Sequence, residues 1–317
     1  MDIVGIGYPV MDCLVRMNRL PKTDGASDLL ESSWQGGGMI ATGLVAAAVL
    51  GAQCGMLGVV GGDGYGQFCL EDLQRNGVDT SRLAVDQKES TFLTFVLSET
   101  EKGGRSFVGK PGTHRKLRPD ELDESYIGGA EYLFLSSMDE IDVAACRIAR
   151  KHGVRVFVDA DVYDEAILRH LDLIDALVAS EDFYKGRFQD ESYEANCRTL
   201  QRCGPEIVVV TLGARGMRGV YRDEYLALNA FKVAVRDTTG AGDVFHGAFL
   251  YGMLQGWPGE RVARFASAVS AIKCTRLGGR AGIPDTKTAE RFCETGEIDY
   301  AEINKRVLMY QNGRMRA

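Results

Sequence analysis

Asp237–Asp243, DTTGAGD, runs straight into the apolar stretch VFHGAFLYGML. The pattern predicts a strand end over Phe231–Val235, a glycine-hinged turn, and a helix beginning near Gly242. Gly240 and Gly242 open backbone conformations that a Cβ closes. Such a turn leaves free amide N–H groups at a helix N-terminus, where unpaired donors and the positive end of the helix dipole attract an anion. Asp243 lies inside this cradle. A carboxylate there repels bound phosphate and so needs a reason. A general base that takes a proton from an acceptor hydroxyl supplies one. A capped turn would account for a lone GxGD, but the whole run in a strand–turn–helix setting favours the anion site.

The stretch resembles the signature of the PfkB/ribokinase family of small-molecule kinases. The resemblance implies that Asp243 is the catalytic base and that Gly240, Ala241 and Gly242 form the anion hole for the transferring phosphate. Upstream, Gly36-Gly37-Gly38 opens a helix with Ile40, Leu44, Ala47 and Ala48 on its apolar face, ending at Gly51. Gly37 and Gly38 match the family's GG-x-x-x-N-x-A motif, but Thr42 stands where that motif has Asn. A hydroxyl lacks the amide's donor–acceptor pair, so ribose-like recognition is not expected to carry over unchanged. Asp12 follows the first strand, Ile3–Gly7, and by resemblance accepts hydrogen bonds from sugar hydroxyls. Gly5 and Gly7 lack the third glycine of a dinucleotide fingerprint.

By the same resemblance, two segments, about 12–36 and 90–112, are expected to build a lid over the acceptor. In the second, Thr91–Leu97 and Arg105–Val108 flank a hairpin loop at 99–104. Arg105, Lys110 and His114 follow as a basic group, which is either solvated or holds an anionic part of the acceptor or the transferring phosphate.

From Tyr132 the chain alternates short apolar runs with helical stretches, as in a parallel sheet covered on both faces. Ligands in such sheets gather at the carboxyl ends of strands, where Asp159, Asp161, Ser180, Glu181 and Gly213 fall. The family's N-x-x-E motif is not kept at Ser180–Phe183, so magnesium binding through it is not expected to carry over unchanged, and Glu181 is the candidate substitute. Thr211, Gly213 and Gly216 resemble the nucleotide-side loop. Ser267 and Gly279 lie on the helix and loop that wall the adenine pocket in the family, near carbonyls that often hold a monovalent cation such as K+. The run FASAVSAIKCTRLGGRAGIP, with Thr42, is similar to a sugar-kinase subgroup that includes sulfofructose kinases.

The 317 residues are 45% hydrophobic and 26% charged with a net charge of −7, the composition of a soluble globular protein and not of a general nucleic-acid binder. No signal peptide or membrane span is read, and the eight scattered cysteines lack a CxxC pair, as expected of reduced thiols in the cytoplasm. The four histidines show no metal-ligand spacing, and there is no Walker A sequence. The expected fold is ribokinase-like: a single three-layer α/β/α domain over 1–317, with a mostly parallel central sheet and a small β-sheet lid. The expected activity is transfer of the ATP γ-phosphate, with Mg2+, to a hydroxyl of a sugar or sugar derivative. A nucleoside kinase and a non-catalytic sugar- or nucleotide-binding regulator are the alternatives. The lid's strand edge suggests a homodimer, because exposed edges are usually covered.

Overall fold

Runs such as VRVFVDA and EIVVVTLG are apolar on both sides of the chain, so they lie where both faces of a sheet are covered. The computed structural model describes residues 1–101 and 104–311. Lys102 and Gly103 of the hairpin loop, and Gly313, at which the helix read from the sequence after Tyr300 is expected to fray, lie outside the described residues. The strands are β1 (Ile3–Ile6), β2 (Val10–Met17), β3 (Leu29–Gly37), β4 (Cys54–Gly61), β5 (Val78–Asp86), β6 (Leu93–Glu99) and β7 (Gly104–Lys110). They continue with β8 (Tyr132–Leu135), β9 (Arg155–Ala160), β10 (Ala176–Ser180), β11 (Ile207–Thr211), β12 (Met217–Tyr221) and β13 (Glu224–Leu228).

Nine strands form one sheet in the order β13-β12-β11-β10-β9-β8-β1-β4-β5. It is parallel from β11 to β5, and β12 and β13 close one end antiparallel. Alternate residues feed two cores. Ile3, Met56, Phe134 and Phe157 pack under the helices Met39–Leu50, Gly64–Arg75, Ala241–Leu254 and Gly259–Lys273. Val4, Leu57, Leu133 and Val156 pack under Glu140–His152 and Tyr193–Gln201. The result is three layers, helix on sheet on helix.

The other four strands form a smaller sheet, β3-β2-β6-β7, in which β2 and β6 are parallel and the outer pairs antiparallel. This lid has its own small core, where Leu14 and Val96 meet Leu277 from the loop after the last sheet-covering helix.

Two segments differ from the sequence reading. Phe231–Val235 joins no ladder: β13 ends at Leu228, and the Arg236 and Asp237 amides donate instead to the Cys274 carbonyl at 2.8 and 3.2 Å. Val78–Asp86, VDTSRLAVD, is a strand the reading lacks, since its mixed polar pattern suits an edge bonded only to β4. Among the described residues no helix is long and apolar enough to cross a membrane.

Candidate active site

The signature loop is fixed by its own first residue. The Asp237 carboxylate accepts from the Thr239 amide (3.0 Å) and hydroxyl (2.9 Å) and from the Gly278 amide (2.8 Å). Gly240 then caps the helix Ala241–Leu254 with φ at 71°, and a Cβ on it would sit 2.8 Å from the Cα of Gly279. The two loops therefore touch backbone to backbone, which only glycine allows. Gly242 is exposed, and the nearest atom to a Cβ there would be His246 Cε1 at 3.8 Å, so the first helical turn opens to solvent. Five residues further on, Gly247 lets the helix press against Met39–Leu50, since a Cβ would lie 2.1 Å from the Gly43 carbonyl oxygen.

Asp243 sits half-buried in that first turn. Burial pushes its carboxyl up to about 7; the Asp159, Asp161 and Asp12 carboxylates push the same way and His246 opposes them. Beneath it, His246 Nδ1 lies 3.0 Å from Asp159 Oδ2, both groups almost wholly enclosed. They attract as charges but are not aligned as a hydrogen bond. Burial alone would lower the imidazole's pKa; Asp159, helped by Asp243 and Asp161, more than reverses that and raises it.

Asp12 faces the loop from the lid, on β2 between Gln35 and Thr94 of the neighbouring strands. It too is raised to about 7, by burial and by Asp237, against the pull of Arg280 and a hydrogen bond from Thr94. The glycine triplet has three separate causes. A Cβ on Gly37 would strike Asp12 Oδ2 at 2.1 Å, and one on Gly36 would strike Arg280 Nη1 at 2.1 Å. Gly38 has φ at 92° and faces the Tyr8 carbonyl oxygen, 2.3 Å from where its Cβ would be.

Arg280 is the residue that sequence reasoning passed over. Its side chain is wholly buried and donates to Asp72 Oδ2 (2.6 Å), the Gly37 carbonyl (2.9 Å) and the Thr42 hydroxyl (3.3 Å). Gln35 Oε1 accepts from the Arg280 and Ala281 amides at 2.8 and 3.1 Å. Thr42, expected at the acceptor, is only 2% exposed and serves this network. No local motif announces Asp72 or Gln35 as partners, because they lie more than 200 residues away in the chain.

The basic group does not converge. Arg105 donates to the Thr238 hydroxyl, joining lid to signature loop. With Arg16, Ser98, Thr100 and Arg236 it lines a cavity of about 390 Å3, in which Arg236 is held by Glu31 at 2.6 Å. Lys110 stands on the exposed strand β7 opposite Leu93, and His114 stacks on Tyr8 with ring centres 5.9 Å apart.

On the other side of the loop, Thr211 ends β11 beside Ser180. Gly213 has φ at 56°, and a Cβ on Gly216 (φ at 85°) would lie 2.0 Å from the Leu228 carbonyl oxygen. Ser267 lines a second cavity with Phe231, Lys232 and Arg264; neither Lys232 nor Arg264 stands out in the sequence. Glu181 is held by Lys185 and by Arg215 at 2.7 Å, and these hydrogen bonds pull its carboxyl below the usual range. Among the described residues, no three His, Cys, Asp or Glu side chains are arranged to hold a metal ion.

An open helix N-terminus thus stands at the carboxyl end of a parallel sheet, with one near-neutral carboxyl in its first turn and another across from it on the lid. A family model described as pfkB family carbohydrate kinase matches residues 3–286. An ATP-dependent ribose-1-phosphate kinase of Halopiger xanaduensis is 28% identical over 88% of this chain and 93% of its own length. A 5-dehydro-2-deoxygluconokinase of Halalkalibacterium halodurans is 24% identical over 93% of this chain and 95% of its own. The crystal structure of a ribokinase from Thermotoga maritima superposes with a TM-score of 0.77 at 25% identity, covering 93% of this chain and all of that one.

Proposed function

The chain belongs to the pfkB family of carbohydrate kinases, ATP-dependent phosphotransferases with an alcohol acceptor, and from that footing we propose that Asp243 takes the proton of a sugar hydroxyl as it attacks the γ-phosphate of ATP. The observation that carries this reading is the pairing of the open Gly242 turn with a carboxyl held near neutrality one residue later. A base whose pKa lies near the working pH is both ionised and strong enough to accept the proton. The amides of Gly240 and Gly242 would meet the charge on the transferring group, that of Ala241 being bonded to the Thr238 carbonyl at 3.1 Å, and phosphoryl transfer depends mostly on such positioning and electrostatics. Asp12, packed against the bare Cα of Gly37, would hold the acceptor's hydroxyls.

Thr211, Gly213 and Gly216 would flank the nucleotide phosphates, and Ser267 and Gly279 its base side, with Lys232 added from the second cavity. Mg2+ arriving with ATP supplies charge neutralisation on the phosphates. Asp161, exposed just past the end of β9, would suit that hard cation, since it offers only oxygens and Mg2+ takes one or two carboxylates beside phosphates and waters. Glu181, already held by two cations, is a poorer ligand.

The acceptor is read as a negatively charged sugar. Arg16 and Arg105 line the cavity between lid and signature loop, and the acceptors named for two relatives, a ribose phosphate and a dehydrodeoxygluconate, both carry a negative group. A nucleoside is not favoured: the relatives named above are sugar kinases, and the lid tryptophan, Trp34, packs against the main core. The lid also exposes Leu29, Phe107 and Val108, each 57% accessible, and a second copy of the chain would cover them as a homodimer. Eight free thiols suit a cytoplasmic setting.

The test is ADP release from Mg-ATP with fructose, ribose, fructose 6-phosphate, ribose 1-phosphate, 2-keto-3-deoxygluconate, sulfofructose and adenosine. One anionic sugar should be preferred, and Asp243→Asn should lose a factor of about 10²–10⁴ while still binding ATP. Near-normal turnover by that variant would remove Asp243 as the base. Preference for a neutral sugar would remove the anionic-acceptor reading and leave the base untouched.

A further inference from the structure

Two carbonyl oxygens of the signature loop point at a position that is already filled. Lys273 ends the helix Gly259–Lys273 and has 0% of its surface exposed. Its Nζ donates to the carbonyl of Asp237 at 3.1 Å and to that of Thr239. Converging backbone carbonyls are how proteins hold a weakly hydrated monovalent cation, and the family resemblance raises the expectation of K+ near this loop. The residues present do not fit one. A second cation at these carbonyls would share them with an ammonium group and meet its charge in a low-dielectric interior.

We infer that Lys273 is a tethered cation standing where a dissociable monovalent ion would otherwise bind, and that it holds the DTTGAGD turn in shape without K+ or Na+. A buried charge is costly unless matched. Burial lowers the pKa of the Lys273 ammonium, and the two carbonyls, the Asp237 carboxylate nearby and the C-terminal end of the helix dipole offset part of that cost. Asp237 and Thr239 are the residues whose mutual hydrogen bonds form the turn, so an ammonium bonded to both carbonyls clamps the backbone just before Gly240. Lys273 touches no reacting atom; it is a positioning residue.

Wild-type kcat/KM in tetramethylammonium chloride should match that in KCl or NaCl at equal ionic strength, within about twofold. Lys273→Ala opens a space at the carbonyls. Without K+ it should lose about 10- to 100-fold in kcat/KM, as expected when buried carbonyls lose their partner. K+ should restore at least about fivefold of that loss and raise the variant's Tm, because an ion that binds the folded state stabilises it. Lys273→Met fills the same space with an apolar chain and should be equally impaired but not rescued. In crystals of the wild type soaked with Tl+, anomalous scattering should show no peak at the Asp237 and Thr239 carbonyls.

A Tl+ peak there, or wild-type activation by K+ beyond about fivefold, overturns the inference. So does a folded Lys273→Ala that K+ neither activates nor stabilises. Should that variant fail to fold, the wild-type cation series and the Tl+ experiment decide the question. The kinetic arms rest on the kinase reading, whereas melting and scattering need no turnover, so the two readings fail separately.

Discussion

Asp237 and Asp243 bracket one turn, yet their surroundings give them opposite duties. Asp237 is saturated by two amides and a hydroxyl and locks the backbone. Asp243 faces Asp159, Asp161 and Asp12, with His246 the one opposing group named beside it, and is held near neutrality. The folded pKa of about 7 lies above the ordinary 3.8, so the stability Asp243 contributes is full at acid pH and is lost as pH rises through the folded value. Asn carries no charge. Asp243→Asn should therefore melt higher than wild type at about pH 8, by about 2–5 °C, and the gap should close below about pH 4; thermal melts across that range check it. The catalytic sign runs the other way. The base must be ionised, so kcat/KM should climb about tenfold per pH unit up to about 7 and then level. A limb centred near pH 4 in the initial-rate profile would mean that Asp243 ionises like a surface carboxylate.

At the scale of elements, the site depends on how closely two helices and two loops approach. Ala241–Leu254 carries the proposed anion hole on its first turn and rests on Met39–Leu50 through Gly247 and the Gly43 carbonyl. Gly247→Ala should cost about 1–3 kcal/mol in a urea melt, as overpacking does. It should also lower kcat under conditions where the protein remains folded, because the helix that moves is the one bearing Gly242. Unchanged kcat would show that the helix start is positioned by the Gly240–Gly279 contact alone. The signature glycines and the 36–38 triplet were legible in the sequence because their requirement is a backbone conformation or a missing Cβ, which leaves one residue type. Arg280 and Lys273 were not legible as network members, since an isolated Arg or Lys carries no mark of a partner more than 30 or 200 residues away. Edge strand β5 was missed for a related reason: with one neighbour it tolerates the polar residues that normally signal a loop. The strand expected over Phe231–Val235 failed in the reverse sense. Phe231 and Val233 pack against the helical layer while Val235 is exposed, and the amides that follow, of Arg236 and Asp237, bond to the Cys274 carbonyl instead of to a strand.

For the whole molecule, the lid carries an exposed apolar patch. All of β7 is exposed, and Phe107 and Val108 stand on it at the sheet's edge. The homodimer reading expects the wild type to sediment at twice the chain mass, and Phe107→Glu combined with Val108→Glu to sediment as a monomer. A wild-type monomer at micromolar concentration would end that reading. The order of the chain through the fold has a different kind of consequence. One face of the sheet is covered from both ends of the sequence, by Met39–Leu50 and Gly64–Arg75 early and by Ala241–Leu254 and Gly259–Lys273 late. A ribosome therefore releases β8 to β11 well before two of the helices that shield them. For that interval Phe157, Val178 and Val209 present a naked apolar surface to the cell. Nascent chains stalled near residue 230 should be the ones that chaperones hold and proteases clear.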